Sequence, residues 1–202
     1  MNKRIVHDAL ILTAFTLVLG LILGAVYGIT KDRIAKADYE KAQKAYKAVF
    51  STAEVFEEYA FNKEQADSLM EEKGYKDEIK NVQIASDADG LPLGYVITVK
   101  AKDGSQGSIT FSVGIQTNGT VNGYSITEIS ETPGLGMKAT EKDFSDQFVN
   151  KAVKEFQVVK SGAKTEDQIT AITGSTITSM AIANGCNAAI TYFNALQTGG
   201  VQ

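Results

Sequence analysis

Residues 95–101 read Tyr-Val-Ile-Thr-Val-Lys-Ala and residues 109–116 read Ile-Thr-Phe-Ser-Val-Gly-Ile-Gln. In the first run Tyr95, Ile97, Val99 and Ala101 alternate with Val96, Thr98, Lys100 and then Lys102. In the second, Ile109, Phe111, Val113 and Ile115 alternate with Thr110, Ser112, Gly114 and Gln116. Successive side chains of a strand point to opposite faces, so this period of two predicts strands with one buried and one wetter face. The pattern begins near Asp77 and is punctuated by Asp89-Gly90 before Pro92, by Asp103-Gly104 and by Asn118-Gly119. Asn-Gly tolerates positive φ at both positions, which predicts a tight antiparallel hairpin at 118–119. Flanking the strands, helical patterns cover Lys63–Lys73, Glu141–Lys154 and a last helix from about Ile177 to just before Gly199-Gly200. Ile182, Cys186, Ala189, Phe193 and Leu196 share one stripe of that last helix, which makes Cys186 a buried, inert thiol. The expected architecture is α+β: an antiparallel sheet with helices packed on it and the last helix at the core.

Composition narrows the chemistry. The 202 residues suffice for one domain with a real core plus an accessory segment. A net charge of -4 is the wrong sign for a nucleic-acid surface. One cysteine excludes an intrachain disulfide and any zinc or iron–sulfur centre built by this chain alone. The only histidine, His7, lies beside the N-terminal apolar run, so the globular part has no imidazole for a triad, a metal or a general base. No catalytic or metal-ligating set is expected, and any redox or transfer chemistry must come from a bound cofactor or from carboxylates.

No charge interrupts the chain between Asp8 and Lys31, where residues 9–30 read ALILTAFTLVLGLILGAVYGIT. A bilayer core about 30 Å thick needs roughly 20 such residues, so a single transmembrane helix is expected within residues 1–30. A cleavable leader is disfavoured although Ala35-Lys36-Ala37 has a small-x-small form, because the apolar run exceeds the ~7–15 residues of a leader and charges separate it from that site. Lys3, Arg4 and the terminal amine on one side balance Lys31, Arg33 and Lys36 on the other, and charge alone gives no orientation. Ala35, Tyr39, Ala42, Tyr46 and Val49 then repeat at helical spacing, predicting a helical stalk over 31–50 that leads into a globular domain over 51–202.

The segment Ile172-Thr173-Gly174-Ser175-Thr176-Ile177-Thr178-Ser179 opens the last helix with five hydroxyl residues and one glycine. Ser and Thr cap helices well, yet one cap needs one hydroxyl. Amide N–H groups and the helix dipole also make such a start a natural phosphate seat. On these grounds a phosphate site and an over-capped helix are equally good readings. A nucleophilic hydrolase is not, because Ser175 and Thr176 have no histidine to activate them. Upstream, Glu131-Thr132-Pro133-Gly134-Leu135-Gly136 contains a Pro-Gly turn, which explains Pro133 and Gly134 but is silent about Glu131 and Gly136.

The run TGSTITS resembles the flavinylation signature D-x-x-[ST]-G-A-T of the FMN-binding domain in the G subunit of Rnf complexes and in the B and C subunits of sodium-pumping NADH:quinone reductase. The ETPGLG block is similar to one that precedes that signature in the Rnf G subunit. Two positions depart from the pattern: Thr170 stands in place of Asp, with Asp167 one triplet earlier, and Ser175 in place of Ala. The order of anchor, strands, ETPGLG, threonine signature and amphipathic helix is also the family's, over nearly the whole chain.

The resemblance implies FMN joined covalently, as a phosphoester, to Thr176, making the chain a phosphoprotein. Thr173, Gly174, Ser175, Thr178 and Ser179 would surround the phosphate, and Glu131, Thr132, Gly134, Leu135 and Gly136 would lie beside the flavin. It further implies an electron-relay subunit, without a complete active site of its own, in an inner-membrane ferredoxin:NAD+ oxidoreductase coupled to Na+ or H+ transport. The C-terminal domain would face the extracytoplasmic side, with an FMN transferase, other subunits and the lipid bilayer as partners. The competing readings are the C subunit of the sodium-pumping quinone reductase and a cofactor-free membrane-anchored binding module.

Overall fold

The computed structural model describes residues 3–201, so the terminal amine lies outside the described residues. The chain forms two compact units, residues 1–41 and 42–202. The first consists of helix α1, which runs Lys3–Val49 and carries its last turns into the second unit. Its apolar window is long and apolar enough to cross a membrane, and Leu10, Phe15, Leu21, Leu23 and Ile29 on it are exposed. Polar side chains in this stretch return their hydrogen bonds to the helix. Thr13 Oγ1 donates to Ala9 O at 2.8 Å and Thr30 Oγ1 to Val26 O at 2.9 Å. That local satisfaction removes most of the penalty of a hydroxyl in hydrocarbon.

The second unit is a five-stranded antiparallel meander, β1 (Val55–Glu58), β2 (Glu78–Ser86), β3 (Pro92–Ala101), β4 (Ile109–Gln116) and β5 (Val121–Glu128), in spatial order 1-2-3-4-5. Helix α2 (Lys63–Glu72) starts where Asn62 Oδ1 accepts from Gln65 N at 3.1 Å, and it gives way to Gly74 at φ +79°. Helix α4 (Thr176–Gln197) lies on the sheet and buries Ile182, Cys186, Ala189 and Phe193 against Ile97, Val99, Phe111 and Ile115. Gly185 makes this approach possible, since a Cβ there would stand 2.5 Å from Phe111 Cζ. The α+β class, the apolar N-terminal helix and the antiparallel sheet match the sequence expectation.

In the two central strands the expected wet face is dry. Val96, Thr98, Ser112 and Gly114 are all buried, because the chain end of α1 covers them with Tyr46, Val49 and Phe50. Gly114 makes room for Val49, whose Cβ would stand 2.8 Å from an added Cβ. Asn122 Nδ2 donates to Val49 O at 2.9 Å, satisfying one of the carbonyls that a helix C-terminus leaves open. Thr98 Oγ1 and Ser112 Oγ share a hydrogen bond of 3.0 Å beneath this cover. Polar residues at period two therefore mark the second face, which a helix end buries instead of water.

The antiparallel hairpin expected at Asn118-Gly119 is present between β4 and β5, and three local details depart from the sequence pattern. The Asn118-Gly119 connection is a three-residue loop, Thr117–Gly119, between Gln116 and Thr120; Gly119 is at φ +86° while Asn118 is not at positive φ. Asn118 Oδ1 instead accepts from Thr120 N at 2.9 Å, an Asx turn that does the work of a second left-handed residue. The helix expected over Glu141–Lys154 shrinks to α3 (Lys142–Ser145) and a 3₁₀ turn, Asp146–Phe148, because Phe144 and Phe148 are drawn into the core with Phe156. Finally, β6 (Gln157–Val159) and β7 (Gln168–Thr170) form a short parallel pair that the sequence pattern did not announce.

Candidate functional site

Everything that enters the site is aimed by the start of α4. Strand β7 ends at Thr170, Gly174 turns the chain at φ +78°, and Thr176 is the first helical residue. Ser175 occupies the cap position, yet its side chain makes no hydrogen bond to the first-turn amides. Its Oγ pairs with Thr178 Oγ1 at 2.9 Å. Ser179 Oγ accepts from Ile172 N at 2.9 Å and donates to Ser175 O at 2.9 Å, tying the helix start to the strand exit. Ser175, Thr178 and Ser179 are buried, and their hydroxyls are engaged inside the fold. Thr176 is half-buried at the helix mouth, and Thr173 and Gly174 are exposed. Hydroxyls that looked alike in sequence thus divide into three that hold the turn and two, exposed Thr173 and half-buried Thr176, that do not.

The ETPGLG loop is seated against this start. Leu135 packs over Gly174, where an added Cβ would lie 3.2 Å from Leu135 Cδ2. At buried Gly136 a Cβ would stand 2.6 Å from Glu131 Oε2 and 2.9 Å from Thr178 Oγ1, so only glycine admits both elements. Glu131 is 6% exposed and accepts from Gln106 N at 3.2 Å, which pins the loop to the β3–β4 connection. Thr132, Gly134 and Leu135 remain exposed, with Gly134 at φ +74°. Tyr124 Oη donates to Ala139 O at 2.6 Å and anchors the 3₁₀ turn Gly136–Thr140 that follows; burial pushes its phenol far up. All eleven residues singled out in sequence lie in these two facing segments, Glu131–Gly136 and Thr173–Ser179.

Beside them runs a surface groove of about 460 Å³, within the ~300–1,000 Å³ range of small-molecule sites. Lys138, Glu141, Asp143, Phe144, Gln147 and the strand exit 170–173 line it. Sequence reasoning missed this groove and its organiser, Gln147. That side chain accepts from Thr170 N at 2.7 Å and donates to Thr170 O at 3.2 Å, a two-point clamp on the residue where β7 ends. A lone glutamine inside an expected helix, 23 positions from its partner, carries no sequence signal. Cys186 lies in the core; burial, then the nearby Asp77 carboxylate, pushes its thiol well up, leaving a packing role.

A phosphate fits this helix mouth. The first N–H groups of any helix lack intrahelical acceptors, and here the cap side chain is turned away from them. Among the described residues no cluster of His, Cys, Asp and Glu could hold a metal ion.

Comparison with known proteins bears on the same region. The FMN-binding domain family model matches residues 104–191, which include both segments and the groove, and the RnfG N-terminal region matches residues 1–49. The G subunit of the Na(+)-translocating ferredoxin:NAD(+) oxidoreductase complex of Acetobacterium woodii is 32% identical over 198 residues, 96% of this chain and 94% of that protein. The G subunit of the proton-translocating ferredoxin:NAD(+) oxidoreductase complex of Clostridium ljungdahlii is 30% identical over 179 residues, 89% and 86% of the two chains. The crystal structure of Shewanella oneidensis NqrC superposes with a TM-score of 0.51 at 23% identity, covering 58% of this chain and 61% of the other, a likeness of fold. An apolar N-terminal helix, a match to the FMN-binding domain family and similarity to the two G subunits over most of the chain converge: the chain belongs to the G-subunit family of Rnf ion-translocating oxidoreductase complexes.

Proposed function

We propose that this subunit carries FMN joined covalently, through its phosphate, to Oγ1 of Thr176. The observation that carries the reading is the helix mouth itself. Thr176 is the half-buried hydroxyl residue at the first position of a 22-residue helix, and the cap side chain beside it leaves the first-turn amides to another acceptor. A phosphodiester there holds about one negative charge, and the helix dipole and amides stabilise it by roughly 0.3–1 kcal/mol near the surface. Thr173 and Gly174 give the phosphate an open approach, while Ser175, Thr178 and Ser179 hold the turn. The groove lined by Lys138, Phe144 and residues 170–173 would receive the isoalloxazine ring, beside the Glu131–Gly136 loop. When bound, the flavin supplies the electron-transfer chemistry, and the protein supplies position and electrostatics.

The proposed role is an electron relay within a ferredoxin:NAD+ oxidoreductase coupled to Na+ or H+ transport. One relative is named for Na+ and another for protons, so the family name alone leaves the ion open. The apolar helix anchors the chain in the cell membrane, and the domain faces the extracytoplasmic side, where covalent attachment keeps the flavin from diffusing away. An FMN transferase attaches it, and neighbouring subunits exchange electrons with it.

The test is in-gel flavin fluorescence of the denatured full chain produced together with an FMN transferase. Wild type fluoresces, Thr176→Val is dark, and Thr173→Val and Thr178→Val retain the signal. Fluorescence that survives in Thr176→Val moves the bond to another residue.

A further inference from the structure

Lys138, Glu141 and Asp143 are three charged residues lining the groove together with Thr173, and among the described residues none of them has an ion-pair partner. The ion pairs of this domain gather on its other half, where Glu78 meets Lys63, Lys80 and Lys102. Lys138 sits one 3₁₀ turn after Leu135, its N–H donating to Leu135 O at 3.0 Å, so its side chain leaves from the same loop that covers Gly174. Glu141 and Asp143 follow at the start of α3, where Glu141 caps without a side-chain hydrogen bond. These carboxylates are not used to build the fold, and the ammonium is not used to neutralise them.

We propose that these groove-lining charges set the reduction potential of the flavin: Lys138 raises it, and Glu141 and Asp143 lower it. The inference rests on the groove as the seat of the ring. Taking up two electrons and one proton, from a low-potential donor and from solvent, turns the neutral oxidised ring into a reduced ring with one negative charge. A cation on the groove wall favours that product and an anion disfavours it, by Coulomb's law. Because the groove is open to water, the effect is partly screened and falls with added salt.

The experiment is an anaerobic redox titration, with dithionite and mediator dyes, of the full-length detergent-solubilised chain made together with FMN transferase. Gel fluorescence first establishes flavin content. Lys138→Gln is expected to move the oxidised-to-reduced equilibrium three- to tenfold toward the oxidised form, which is ~15–30 mV more negative for a two-electron couple. Glu141→Gln and Asp143→Asn move it the opposite way by a similar factor. Lys138→Arg keeps the wild-type potential, and each shift shrinks at high salt. A merely structural role for these residues would not produce opposite signs from cation and anion removal. Flavin-loaded variants that all titrate with the wild-type protein would overturn the inference while leaving covalent attachment intact. Wild-type protein without flavin would overturn the reading on which it rests. If Lys138→Gln takes up no flavin, the two acid variants decide alone: upward shifts support the inference, and unchanged midpoints end it.

Discussion

Replacing Gly185 by alanine sets two effects against each other, and the structure says which wins. On an exposed helix surface the change would add about 1 kcal/mol of helix propensity. Here the new Cβ would lie 2.5 Å from Phe111 Cζ and 3.1 Å from Phe111 Cε1, against an ordinary carbon–carbon separation of about 3.5–4.0 Å. Phe111 has nowhere to go. It is fully buried, its ring meets Tyr124 edge-on at 5.6 Å, and Tyr124 meets Phe148 at 5.1 Å. An overlap of this depth in a closed core belongs in the upper part of the about 1–3 kcal/mol range of overpacking, so the net loss is about 1–2 kcal/mol. Urea unfolding of the detergent-solubilised chain, followed by circular dichroism, measures it. In a Phe111→Leu background the clash is gone, and the same Gly185→Ala change becomes neutral or stabilising by up to about 1 kcal/mol. Stabilisation of the otherwise wild-type protein would refute the packing of α4 on β4, and with it the placement of Thr176.

Two further outcomes follow from particular contacts. Burial, reinforced by Asp103, holds the Asp77 carboxyl up to about 6. The folded chain therefore keeps a proton between about pH 4 and 6 that the unfolded chain releases, and stability falls as pH rises through that window. Asp77→Asn removes a slope on the order of 2 kcal/mol from the urea-derived stability between pH 4 and 7, and an unchanged slope contradicts this. Gly136→Ala forces Glu131 and Thr178 apart, costing about 1–3 kcal/mol and most of the flavin content, as read by gel fluorescence. Full flavin content in that variant would show that the two segments need not touch.

What could be read in the sequence was whatever a short period or a fixed local geometry encodes. The alternation in β3 and β4, the apolar stripe of α4 and the charge-free run after Asp8 all repeat within a few residues. The Pro-Gly turn at Gly134, seen at φ +74°, was equally local. The hidden parts are joined across long stretches of chain. Val49 and Phe50 dry the second face of the sheet through Gly114 and Gly94, and nothing near those glycines in sequence says that a helix end will arrive. Gln147 clamps Thr170 from 23 residues away. The three-residue strands β6 and β7 are too short to show a period. Hydroxyl count was misleading in a useful way, since it flagged the segment without separating Ser175, Thr178 and Ser179, which build the turn, from exposed Thr173 and half-buried Thr176.

One measurement goes to the centre of the account: mass spectrometry of the mature chain, intact and then fragmented around the start of α4. The account predicts a chain heavier than its polypeptide by one FMN less one water, with the whole increment on Thr176. A flavin-free mass from a sample matured with its transferase, or an increment carried by a different residue, would contradict it.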